Sequence, residues 1–134
     1  MSISLNNHEQ RIKALESKSA SIQMTVLLEF VQIGRSFVKL KDSIKNYKLL
    51  YILGGDDIDR APRIIQPHDI FSANNIFQIT YLDTNGTQSY DASVDTIYYR
   101  FSEDGWNVKF DYAYFYNTYD KDKTSDNLMI IGIN

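Results

Sequence analysis

Apolar residues recur along this chain in two rhythms, and the change between them falls near residue 22. Before it, Leu5 and Ile12 stand seven apart, continued weakly by Ser19, while His8, Leu15 and Ile22 form a second seven-residue series three positions on. That is the a/d seam of a short coiled-coil helix. Arg11 falls at g and Glu16 at e, so in a parallel bundle the guanidinium reaches a neighbour's carboxylate across the layer of Ile12 and Leu15. The fork favours three chains, whereas Ile at a with Leu at d leans toward two; we give the fork more weight. An ordinary amphipathic helix folded back on its own domain is the alternative. Helices under roughly 12–15 residues are marginal alone in water, so the stretch needs identical partners and a folded head. The trimerising set is then Leu5, His8, Arg11, Ile12, Leu15 and Glu16, on a stalk of residues 1–21.

From Ile22 the period becomes two. Met24, Val26, Leu28 and Phe30 share one face of a strand and Thr25, Leu27, Glu29, Val31 and Ile33 the other, both largely apolar, which predicts cover on both sides. Gly34-Arg35 suits a hairpin turn into Ser36–Leu40. After polar Lys41–Tyr47, the run Lys48–Leu53 looks like a central strand stopped by Gly54-Gly55. Short strands follow at Pro62–Gln66 and Phe77–Leu82, with Asn85-Gly86 turning the latter into Thr87–Tyr90. Thr96–Phe101 turns through Ser102–Gly105 into Trp106–Tyr116, where Trp106, Val108, Phe110, Tyr112, Tyr114 and Tyr116 are expected inward. Tyr119–Asn127 reads as a charged loop and Leu128–Ile133 as a last buried strand. Eight or nine strands at this spacing predict a mainly β chain: a short parallel trimeric coiled coil, then an antiparallel, jelly-roll-like β-sandwich head over residues 22–134.

Composition sharpens this picture in three places. Ten Tyr, seven Phe and one Trp suit strands and aromatic surfaces. With no Cys, the head uses neither disulfides nor thiolate metal sites. A net charge of -3 argues against nucleic acid as a partner, and no apolar run approaches the roughly 20 residues a membrane-spanning helix needs. The N-terminus lacks the pattern of a signal peptide.

Candidate chemistry gathers in Tyr112–Asp120, YAYFYNTYD. Aromatic faces meet the C–H surfaces of sugars, while carboxylates, amides and basic groups meet their hydroxyls. If Trp106 to Tyr116 pack inward, Phe115, Asn117 and Tyr119 face outward, and Asp120, Lys121 and Lys123 complete a receptor-binding set in a loop. The plainer reading has Tyr112, Tyr114 and Tyr116 filling the core or a subunit seam. Arg35, Lys39, Lys41, Lys45 and Lys48 form a basic stretch, which either meets anionic polysaccharide or guards edge strands. Asp56, Asp57 and Asp59 lack calcium-loop spacing, His68 reads as a loop residue, and a His8 layer reads as neutral and hydrogen-bonded. No nucleophile, metalloprotease or phosphate-loop motif is present; Glu103, Asp104 and Asp111 are the carboxylates a glycosidase could pair. No enzyme activity and no cofactor are expected.

The Arg11–Glu16 spacing, Arg-apolar-x-x-apolar-Glu, resembles the trimer-specifying signature of short coiled coils. NHEQRIKALE resembles those that punctuate bacteriophage tail fibres. FVKLKDSIKNYKLLYI over residues 37–52, with its LxxSIxNY turn, and the closing LMIIGIN resemble the small β-sandwich heads that end such fibres. The resemblance implies a homotrimeric, non-catalytic tip on a virion or a related contractile bacteriocin particle, joined to the rest of the tail fibre. It would attach to bacterial surface polysaccharide or an outer-membrane protein without entering the membrane. So short a coiled coil starting at Met1 suggests the distal piece of a longer fibre. The alternatives are a structural trimerisation or capping module and a polysaccharide-degrading enzyme.

Overall fold

The computed structural model of the chain describes residues 9–11, 22–55, 62–83, 93–116 and 118–134. Glu9, Gln10 and Arg11 are helical and exposed. Leu5, His8, Ile12, Leu15 and Glu16 lie outside the described residues, as do Asp56, Asp57, Asp59 and Asn117.

Nine strands are described: β1 (Met24–Ile33), β2 (Val38–Lys39), β3 (Leu49–Gly54), β4 (Arg63–Ile65), β5 (Ile76–Asp83), β6 (Ser93–Phe101), β7 (Asn107–Phe115), β8 (Thr118–Tyr119) and β9 (Asp126–Ile133). They form two antiparallel sheets, ordered β1-β9-β3-β4 and β2-β7-β6-β5, with β8 pairing the far end of β7. One hydrophobic cluster draws on both sheets, taking Leu27, Leu28, Leu50, Ile52, Leu128 and Ile130 from the first and Phe77, Ile79, Ile97, Tyr99, Val108 and Phe110 from the second.

Strand β9 carries the cleanest period of two, every second residue from Asp126 to Gly132 being buried. It is a central strand, as its apolar sequence predicts. Strand β1 departs from expectation. Its register on β9 shifts between Val26 and Leu28 and again between Leu28 and Val31, so it carries two extra residues and consecutive Leu27 and Leu28 are both buried. A bulge re-aims side chains this way. Met24, Val26, Phe30 and Val31 are exposed, so the cover predicted on both faces of β1 is corrected: β1 is an edge strand.

The Gly34-Arg35 hairpin is also corrected. After β1 the chain crosses to the other sheet, where Val38 and Lys39 pair with Val108 and Asn107 of β7, and the Gly34 carbonyl accepts from the Phe110 amide at 2.8 Å. β5 pairs with β6 from Ile76↔Arg100 to Asp83↔Ser93; the Asn85-Gly86 turn and Thr87–Tyr90 lie outside the described residues. A short helix that the sequence reading missed, α1 (Pro67–Ser72), has Pro67 in its first turn and buries Ile70, and His68 sits on it rather than in a loop. Its signal was Pro at a helix start, where the missing N–H costs nothing.

The polar turn LKDSIKNY is held from both ends of the chain. Ser43 caps the 3-10 turn Ile44–Asn46 through the Lys45 amide, and its hydroxyl donates to the Asp104 carbonyl at 2.6 Å. Asn46 and Tyr47 both donate to the Asp42 carboxylate, at 2.8 and 3.0 Å. The Tyr47 ring lies where a Cβ on Gly132 would stand, 2.4 Å from its nearest ring carbon. Asn134 closes the arrangement, accepting from the Lys48 amide at 3.1 Å and donating to the Asn46 carbonyl at 3.3 Å. Residues 37–52 and the closing LMIIGIN, far apart in sequence, thus meet as one structural latch.

Candidate functional site

The hairpin β6–β7 positions the aromatic residues. Its turn is closed by Asp104, whose carboxylate accepts from the Ser102 hydroxyl at 2.6 Å and the Trp106 amide at 3.0 Å. Gly105 takes a φ of +75°, and a Cβ there would stand 2.7 Å from the Ser43 hydroxyl; glycine is required on both counts. The hydrogen bond from Ser102, seconded by that from Trp106, holds the Asp104 carboxyl below its ordinary value, opposite to the direction a general acid needs.

Along β7 the alternation holds through Val108 and Phe110, which are buried, and then changes phase. The register passes from Tyr99↔Phe110 to Tyr98↔Tyr112, leaving Asp111 as an extra residue on β7. Beyond it Ala113 is buried instead, and Tyr112 and Tyr114 turn to the outer face. The expectation that Tyr112, Tyr114 and Tyr116 point inward with Trp106, Val108 and Phe110 is corrected by this bulge. Asp111 pairs there with Arg100 at 3.2 Å.

The result is a connected tyrosine surface. Tyr98 and Tyr112 stack with centroids 4.4 Å apart, Tyr114 meets both edge-on at 6.0 and 5.7 Å, and Tyr119 meets Tyr114 at 6.0 Å. The last contact follows from the pairing Tyr114↔Tyr119. Thr96, Tyr98, Tyr112, Tyr114 and Tyr116 line a shallow depression of about 320 Å³, beside which the Thr80 and Thr96 hydroxyls bond at 3.1 Å. Burial first, then the nearby Tyr98 hydroxyl and Asp111 carboxylate, raise the Tyr112 hydroxyl above its ordinary 10.0, and like any tyrosine it can donate at neutral pH.

Of the receptor-binding residues proposed from sequence, Phe115 and Tyr119 are exposed; Tyr119 joins the tyrosine surface, whereas Phe115, two residues beyond buried Ala113, lies on the other side of β7, which corrects its expected place on one face with Tyr119. Phe115 meets Tyr116 edge-on at 5.0 Å, and Tyr116 adopts a φ of +54° at the turn into β8. Asp120 accepts from the Asp122 amide at 3.1 Å, and Lys121 is exposed in the same turn. Lys123 is 3.8 Å from the buried carboxylate of Asp126, an anchoring role at the start of β9. Sequence reasoning missed Tyr98 and Thr96, which β6 supplies across the strand pair; the signal was their place in the alternating run Thr96–Phe101.

The basic stretch does not act as one patch. Arg35 donates to the Tyr119 hydroxyl at 3.4 Å and so joins the tyrosine surface. Lys39 lies over Trp106 and Lys45 over Phe71, while Lys41 pairs with Glu29 at 3.5 Å. Among the described residues no group of three His, Asp or Glu converges as metal ligands, and no helix is long and apolar enough to cross a membrane. A second, open depression of about 560 Å³ lies at the hairpin turn beside Phe37, Arg100 and Glu103. No family model matches the chain, and no curated protein matches its sequence.

Proposed function

We propose that the chain is the homotrimeric, non-catalytic tip of a bacteriophage tail fibre or related contractile bacteriocin, which attaches to bacterial surface polysaccharide or an outer-membrane protein. The head is read as a β-sandwich, because one core cluster is shared by both sheets. Alternation of β1, β2 and β3 between the sheets supports the jelly-roll-like description, whereas β5, β6 and β7 form a simple meander. The observation that carries the attachment reading is the outward tyrosine surface of Tyr98, Tyr112, Tyr114 and Tyr119. Four rings with hydroxyls, flanked by Thr96 and Arg35, give apolar area and hydrogen-bonding tips together, the combination a sugar ring requires. Flat aromatic area also loses little conformational freedom on binding.

Binding of the intact chain to a glycan array and to a panel of bacterial cells, with Tyr98→Ala/Tyr112→Ala as comparison, tests this reading. Binding that the double substitution abolishes supports it; indifference to every glycan and every cell surface contradicts it. The latch of Tyr47, Gly132 and Asn134 favours a second reading, a structural trimerisation or capping module, since the residues that carry the resemblance serve the fold. Under that reading, exchanging the head for an unrelated trimeric head leaves host range unchanged.

A further inference from the structure

The outer face of the β1-β9-β3-β4 sheet is built unlike an ordinary solvent face. The register aligns Met24, Ile133 and Leu49 in one row, Val26, Ile131, Tyr51 and Ile64 in a second, and Met129 with Leu53 in a third. Every one of these nine side chains is aliphatic or aromatic. Met24 is 70% exposed and Ile64 64%, at the two edges of the sheet, and the rows between them are half-buried by one another. With strands about 4.8 Å apart and about 6.8 Å between alternate residues, the nine positions cover roughly 300 Å². A contiguous apolar patch of a few hundred Å² is often functional. Glu29 and Lys41 stand near its β1 edge, and an apolar centre with a polar rim is the anatomy of a protein interface.

From this face we infer that β1-β9-β3-β4 is the surface through which copies of this chain pack against one another, apolar rows turned toward a common axis. The inference rests on the trimer reading above and names the interface within it. A polysaccharide finds almost no hydrogen-bonding group here, whereas a second copy brings a matching apolar face. The strongest heptad layer ends at Glu16, and the seven residues 17–23 before Met24 reach at most about 25 Å. Three segments wound together therefore deliver three copies of β1, beginning with Met24, close to the axis. A stalk of two to three heptads is marginal by itself, and an apolar centre of roughly 300 Å², beside the usual 800 Å² or so per partner, adds to the association. The tyrosine surface on the opposite sheet is left facing outward.

Sedimentation equilibrium of the full chain at micromolar concentration, with three substitutions, tests the assignment. Wild type is expected at three times the 15.5 kDa chain mass. Met24→Asp/Val26→Asp is expected to weaken association at least tenfold and shift the mass toward one chain. Thr80→Asp, on the outer face of the other sheet, is expected to keep the wild-type mass. Ile64→Asp, on the far edge strand, repeats the test at a second exposed site should the double variant lose its β-sheet circular dichroism. Unchanged mass in both face variants, with wild type at three chains, overturns the interface and leaves the trimer intact. Wild type at one chain overturns the trimer reading and the interface with it.

Discussion

The two sheets share a core but turn opposite chemistries outward. On β1-β9-β3-β4 three outer rows carry Met, Val, Leu and Ile with Tyr51, and only the next row, Gln32 with Asn127, brings amides. On β2-β7-β6-β5 the outer rows carry Thr80 and Thr96, the Arg100–Asp111 pair, and tyrosines in mutual ring contact. The first face gains by excluding water against something equally apolar. The second keeps apolar area and polar tips side by side, suited to a ligand that is itself both. On the proposed reading, one chain separates self-recognition from recognition of others by assigning each to one sheet.

The contrast depends most on Asp111. Deleting it removes the extra residue that lets Tyr112 and Tyr114 face out while Ala113 faces in, and a one-residue slip exchanges the faces of everything beyond it. We expect a loss of several kcal/mol, or failure to fold, measured by denaturant unfolding. Removing the tyrosine surface without disturbing the core has the next largest effect. Tyr98→Ala/Tyr112→Ala should lower binding to receptor-bearing cells by about tenfold per ring, given about 0.5–1.5 kcal/mol for an aromatic pair beyond its area, with the mass in solution unchanged. Thr96→Val is milder, costing under about 1 kcal/mol of stability through the lost Thr80 bond, and it leaves association untouched.

The smallest effect is set by pH and lies outside both faces. Hydrogen bonds from Asn46, first, and from Tyr47 and the Ser43 amide hold the Asp42 carboxyl below its ordinary 3.8. A lowered native value means that the stabilisation is present above 3.8 and is lost as pH falls through the lower folded value. Thermal unfolding followed across the acid range should therefore fall less steeply in Asp42→Asn than in wild type.

How much of this was legible follows the same division. Elements whose pattern is local were readable: the Ser102–Gly105 turn, the alternation of β9, the apolar run of β3. What depends on a partner strand was not. The bulges at Leu27 and Asp111 are properties of a strand pair, and nothing in a single strand's alternation records where its partner is one residue short. Hence β1 was expected to be covered on both faces and Tyr112 to point inward. The tyrosine surface draws on the stretch Tyr112–Asp120 singled out from sequence, but through tyrosines expected to point inward and with Thr96 and Tyr98 added from β6, while Lys123 lies against Asp126. The helix α1 was missed because Pro67 was read as ending a strand rather than starting a turn of helix.

Hydroxyl-radical footprinting of the unmodified chain at micromolar concentration tests the separation of faces most directly, since methionine and tyrosine are both readily labelled. The account predicts slow modification of Met24 and Met129, despite the open position of Met24 in a lone subunit, and ready modification of Tyr112, Tyr114 and Tyr119. Rapid oxidation of Met24 together with protected tyrosines would contradict it.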